Sequence, residues 1–220
     1  MTQPTDPGQR PKRRLIAGGI AGTAAVLAAV YVIVGPHGNT DDTQSCALEM
    51  ALAEQTRPFA TGEVAAFRPA ERPLSLSELT FDGPDGKPVR IADFRDRTIL
   101  LNLWATWCAP CRKEMPALDD LQGDMGNEEF QVVTVNLDRG GPEKPKAFLE
   151  EIGVNRLDYY SDAGNGILKD LKAKARAPGL PTTILVGPAG CEIGTMYGPA
   201  EWASDEAKKL VTAALKAKAD

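Results

Sequence analysis

ILLNLWATWCAPCRKEMP, residues Ile99 to Pro116, is the stretch on which the fold turns. Its first part, ILLNLWA (99–105), is a nearly continuous apolar run of strand length, as expected of a strand covered on both faces. From Cys108 to about Met125 the spacing turns helical, with Met115, Leu118 and Leu121 on one side. A buried strand that feeds through a short turn into a helix places Cys108 at the helix N-terminus. Unpaired backbone N–H groups and the helix dipole stabilise a thiolate there, and the thiolate is the nucleophile of disulfide exchange. Cys111, one helical turn on, lies beneath and can resolve a mixed disulfide. Pro110 stiffens the loop between them, and Trp104 and Trp107 can cover it with apolar surface.

Other chemistries of a CxxC pair fit less well. Zinc wants four ligands, yet there is no second CxxC and His37 is the only histidine. A c-type haem needs histidine directly after the second cysteine, where this chain has Arg112. A bridge that only braces the fold stays open, although short CxxC bridges at helix starts are usually reactive. Nothing in the sequence asks for a cofactor or a metal.

Outward from this core the chain alternates. FQVVTVNL (130–137) reads as a second buried strand, Glu143–Ile152 as a helix, Leu157–Tyr160 as a short strand and Gly166–Ala175 as another helix. Thr182–Val186 and Glu192–Met196 read as strands joined by Gly187-Pro188-Ala189-Gly190, and Trp202–Lys218 closes as an amphipathic helix. Before the core, LTFDGPDGKPVRI (79–91) carries a hairpin signal at Asp85-Gly86. Residues 57–78 look irregular, and Ala47–Gln55 looks helical with Ser45 as a possible N-cap. Strand–helix–strand–helix followed by a hairpin and a helix implies an α/β domain with a central mixed β-sheet flanked by helices.

The N-terminus is different in kind. Leu15 to Val34, LIAGGIAGTAAVLAAVYVIV, is uncharged and about as long as is needed to cross ~30 Å of hydrocarbon. Arg10, Lys12, Arg13 and Arg14 precede it, and Asp41 and Asp42 follow. The positive-inside rule puts residues 1–14 in the cytoplasm as a tail, 15–34 across the membrane, 35–45 outside as a linker and 46–220 outside as the folded domain. A cleaved signal peptide is the competing reading, with a shorter apolar stretch and a small-residue cleavage site; either way the domain is exported. Residues 1–34 sum to +3 of the chain's −5, so the exported part stands at −8. An acidic domain without a Lys/Arg stripe argues against nucleic acid.

WATWCAPCRKEMP (104–116) resembles the active-site signature of the thioredoxin-like family, and more narrowly that of the TlpA-type, membrane-anchored thiol:disulfide interchange proteins. The resemblance covers roughly residues 75–217 and implies a thioredoxin-like fold. It also implies a single-pass protein of a bacterial inner membrane, with its catalytic domain in the periplasm. The expected reaction is reduction of disulfides in client proteins by Cys108 and Cys111. The expected partners are a client with a CxxCH disulfide (cytochrome c maturation) or a CxxxC-like one (copper-site assembly of cytochrome oxidase), and a membrane carrier of reducing thiols. A disulfide-forming oxidase and a non-enzymatic metal-delivery or scaffold protein are the alternatives. Nothing demands more than a monomer.

By the same resemblance Pro181, in Gly179-Leu180-Pro181-Thr182-Thr183, matches the family's cis-proline. Leu180 then offers backbone groups to an extended client segment, beside Trp107. Without the resemblance Pro181 could simply open an edge strand. Glu114 matches the acid three residues after the second cysteine, a possible proton acceptor for the buried thiol; an exposed first-turn acid favouring the helix dipole is the alternative. Thioredoxin has a buried aspartate where this chain has Asn102, so that proton route is missing. The remaining cysteines, Cys46 and Cys191, can form a structural disulfide across a loop of ~145 residues, or a second redox pair.

Overall fold

Strand β4 (Thr98–Trp104) is buried along its whole length and sets the two faces of the domain. Side chains alternate across a strand, so Leu100, Asn102 and Trp104 turn to one face and Ile99, Leu101 and Leu103 to the other. The structure is a computed structural model that describes residues 46–215. The expected tail, membrane segment and linker, Ser45 as an N-cap, and residues 216–220 lie outside the described residues.

The other strands are β1 (Arg68–Pro69), β2 (Thr80–Asp82), β3 (Pro88–Arg90), β5 (Phe130–Asn136), β6 (Tyr160–Ser161), β7 (Thr182–Val186) and β8 (Glu192–Tyr197). They form one mixed sheet in the order β1-β8-β7-β4-β5-β6-β2-β3. β5 lies parallel to β4, with Asn102 opposite Thr134, and β7 lies antiparallel, with Asn102 opposite Thr183. The helices are α1 (Ala47–Thr56), α2 (Ala109–Met125), α3 (Glu143–Glu151), α4 (Gly166–Ala173) and α5 (Asp205–Leu215). Leu52 of α1, Met115 and Leu118 of α2, Leu149 of α3 and Leu210 of α5 pack with Leu100 and Trp104 on the first face. Ile167 and Leu171 of α4 pack with Leu101, Leu103 and Phe81 on the second. Each fully buried leucine contributes roughly 1.5–3 kcal/mol, so both faces are held.

The thioredoxin-like α/β architecture expected from the sequence is therefore present. Differences are local and have physical reasons. The stretch 57–78 contains two short 3-10 turns and the edge strand β1, which pairs with β8 through Arg68 opposite Thr195. Pro69 is tolerated there because an edge strand need not donate on both sides. The last helix begins at Asp205, not Trp202, because the Ser204 hydroxyl oxygen accepts from the Ala207 N–H and caps it. β6 starts at Tyr160, where the chain first pairs with β5, so 157–159 are not strand. Gly190 sits at φ +80° in the β7–β8 turn, a conformation that suits glycine.

Candidate active site

The C-terminal end of β4 delivers the chain into Ala105-Thr106-Trp107-Cys108. Asp138, just past the parallel β5, fixes this turn: it accepts from the Thr106 N–H (2.8 Å) and the Thr106 hydroxyl (2.6 Å). Asn136 Nδ2 also donates to Asp138. These donors hold the Asp138 carboxyl below its usual value, against the opposing effect of burial.

Cys108 is the N-cap of α2, and its Sγ accepts the Cys111 N–H at 3.3 Å. Sulfur here takes the place usually held by a capping oxygen. The backbone donor and the helix dipole therefore point at the sulfur that would carry negative charge after reduction. Cys108 and Cys111 are joined in a disulfide with Cα atoms 5.3 Å apart. Cys108 is 6% exposed and Cys111 0%, so only the first sulfur can meet another molecule. Pro110 falls in the first turn, where a missing N–H costs nothing. Trp104 is fully buried, in the same cluster as both cysteines, whereas Trp107 is 66% exposed beside them.

Glu114 lies one turn beyond Cys111 and is only 3% exposed, so it is not a surface acid of the first turn. Its Oε1 accepts from Asn102 Nδ2 (2.8 Å); its Oε2 accepts from the Ala200 N–H (3.2 Å) and Trp202 Nε1 (3.3 Å). Burial pushes its pKa up to about 7, and the three hydrogen bonds hold it back from rising further. Near neutral pH this carboxyl can therefore either give or take a proton. Ala200, Trp202 and Thr183 were not legible as site residues. They come from the β8–α5 loop and from β7, more than 65 residues from the motif in sequence, and no local pattern marks them.

The Leu180–Pro181 peptide bond is cis. Because β7 runs antiparallel to β4, with Leu103 opposite Thr182, Pro181 is brought to the end of the sheet where Cys108 lies. Leu180 stands just outside the strand ladder, and no backbone hydrogen bond engages its N–H or C=O among the described residues.

Cys46 and Cys191 form a second disulfide, Cα–Cα 5.6 Å, and both are buried. Cys191 precedes β8 where Glu192 pairs with Val186, and Val186 pairs with Ile99 at the opposite end of β4 from Cys108. Ile99 and Trp104 are five residues apart along β4, about 16 Å, so the two disulfides do not meet. Beside this bridge the buried Glu49 accepts from the Ala189 N–H (2.9 Å) and fills the space over Gly187. Among the described residues no cluster of three or more His, Cys, Asp or Glu could hold a metal ion.

Comparison with known proteins agrees with this geometry. The chain is 32% identical over 106 residues to the thiol-disulfide oxidoreductase ResA of Oceanobacillus iheyensis, which covers 48% of this chain and 52% of that protein. It is 35% identical over 113 residues to the thiol:disulfide interchange protein HelX of Rhodobacter capsulatus, covering 51% and 59%. The chain thus spans little more than half the length of these curated relatives. Among solved structures it matches a thiol:disulfide interchange protein of the thioredoxin family from Chlorobium tepidum at TM-score 0.54 and 22% identity, covering 67% of this chain and 99% of that one. It also matches a DsbF homologue from Corynebacterium diphtheriae at TM-score 0.52 and 24% identity, covering 67% and 88%. At these identities the two structures speak for the fold alone. With residues 75–191 matched to the AhpC/TSA family, more than half of its length, the chain belongs to that thioredoxin-like family.

Proposed function

We propose that this protein is a membrane-anchored, extracytoplasmic thiol:disulfide oxidoreductase that reduces disulfides in client proteins. One observation carries the reading: Cys108, slightly exposed at a helix N-terminus with its Sγ accepting the Cys111 N–H, precedes a wholly buried Cys111 by one helical turn. In the reduced protein the Cys108 thiolate attacks one sulfur of a client disulfide. The client's S–S bond breaks, its other cysteine leaves as a thiolate, and a mixed disulfide forms. The Cys111 thiol then passes its proton to the ionised Glu114 and attacks Cys108 Sγ. The second client thiolate leaves, and the Cys108–Cys111 disulfide forms. Two electrons pass to the client. A membrane carrier of reducing thiols restores the pair.

The rest of the molecule is assigned to match. Trp107 and the free backbone groups of Leu180, beside Pro181, receive an extended client segment by strand addition. Cys46–Cys191 is a structural staple of α1 to the β7–β8 turn. Residues 1–14 are the cytoplasmic tail, 15–34 the single membrane span, 35–45 the linker and 46–220 the periplasmic domain. The clients are cytochromes c or copper-site proteins of cytochrome oxidase, reached by a monomer that binds no nucleic acid.

Insulin reduction tests the assignment. The wild-type protein should catalyse it, Cys108→Ser should abolish it, and Cys111→Ser should accumulate a mixed disulfide visible by mass. Activity retained by Cys108→Ser would remove the nucleophile assignment.

A further inference from the structure

Asn102 occupies a costly position. It is fully buried in the middle of β4, and both hydrogens of its amide are used: Nδ2 donates to Glu114 Oε1 at 2.8 Å and to Thr183 Oγ1 at 2.9 Å. Its Oδ1 is buried and meets no donor among the described residues. Only its donor end is engaged, and that end faces the carboxylate.

We propose that Asn102 is a positioning residue that makes Glu114 the sole proton-exchanging group behind Cys111, by donating to the ionised carboxylate while bringing no proton of its own. The inference rests on the reading of the protein as a thiol:disulfide oxidoreductase. It goes further in giving the amide a task beyond the absence of an acid.

The surroundings of Glu114 leave few other determinants. β4 contributes Asn102, β7 contributes Thr183 behind it, and the β8–α5 loop contributes the Ala200 N–H and Trp202 Nε1. On its own helix the neighbour one turn back is Cys111. No charged side chain adds to the shift of Glu114 among the described residues; burial raises it and these neutral donors lower it. Each donor stabilises the ionised form more than the neutral one, so removing one raises the pH at which the proton is exchanged.

An aspartate at the same place would behave differently. It would set two carboxyl groups at hydrogen-bond distance, where ionising the first opposes ionising the second, so that the pair titrates in two separated steps. Its second oxygen would lie where Asn102 Oδ1 now meets no donor, so it would hold its proton tightly. The amide avoids this competition and leaves one carboxyl with one titration.

The test is a carbon-13 NMR titration of the Glu114 carboxyl in the full, oxidised chain, assigned by its loss in Glu114→Gln. It is run beside the pH profile of insulin reduction. Asn102→Leu should raise the single midpoint by about one to two pH units and move the exchange profile in the same direction. Asn102→Asp, which is isosteric and keeps the measurement available if the leucine variant does not fold, should split the titration into two steps. An unshifted midpoint in Asn102→Leu, or a single unshifted step in Asn102→Asp, would overturn the proposal. Titration shifts as expected in a wild-type protein that reduces no insulin would instead remove the oxidoreductase reading and leave the positioning role standing.

Discussion

Replacing Glu114 by glutamine should change how stability depends on pH, and the size of the change follows from where the side chain sits. In the folded protein burial raises the Glu114 pKa from its ordinary value of 4.5 to about 7. The folded state therefore keeps its proton at pH values where the unfolded chain has already released it. Stability from this group is fully present below the unfolded value, declines as pH rises, and is gone above the folded value. At 1.36 kcal/mol per unit, the gap corresponds to about 3 kcal/mol across the window. Glutamine has the shape of the protonated acid and does not titrate. Urea unfolding of the oxidised protein at a series of pH values, with wild type and Glu114→Gln side by side, isolates this group, because every other carboxyl titrates equally in both. Relative to the variant, the wild type should lose about 3 kcal/mol between about pH 4.5 and 7.5. A difference between the two proteins that stays flat over that window would mean that the charged form is not penalised, and the account of a buried, proton-exchanging Glu114 would fall.

Three further perturbations probe the scaffold. Removing the Cys46–Cys191 bridge as Cys46→Ala/Cys191→Ala opens a loop with a sequence separation of 145. It should cost up to ~5 kcal/mol in denaturant unfolding on the chain-entropy account, while insulin reduction at low temperature persists. Asp119 is buried and accepts the backbone N–H groups of Asn155, Arg156 and Leu157; Asp119→Ala strands them and should lower stability by about 2–3 kcal/mol in the same assay. Arg176 pairs with the buried Glu192, Nε to carboxylate at 2.7 Å, so Arg176→Ala leaves that charge without its partner and should cost about 3–5 kcal/mol. The simultaneous change of both residues to apolar ones of similar volume should restore much of it.

Legibility in the sequence followed the range of the interactions. β4 and β5 announce themselves because each is a seven-residue run dominated by buried apolar side chains on both faces, and the start of α2 is marked by the cysteine pair itself. β1 was hidden: it is two residues long, contains Pro69, and exists only because β8, more than a hundred residues later, offers it an edge. The apolar spacing extends α5 back to Trp202, whereas Ser204 caps the helix two residues later. The pairing of Cys108 with Cys111 at a helix start is legible from their spacing alone. The environment of Glu114 could not, because Ala200 and Trp202 fold over it from 86 and 88 residues away. The thioredoxin-like resemblance supplied Pro181 as a cis-proline; neither spacing nor composition distinguishes it from an ordinary strand-opening proline.

The measurement that bears most directly on the central claim is the reduction potential of Cys108/Cys111 in the purified protein, by equilibration with glutathione buffers. A dedicated reductant of client disulfides should lie near the ~−270 mV of thioredoxin or moderately above it. A value near ~−120 mV, that of a strong oxidant, would contradict the account and make this protein a donor of disulfides to its clients.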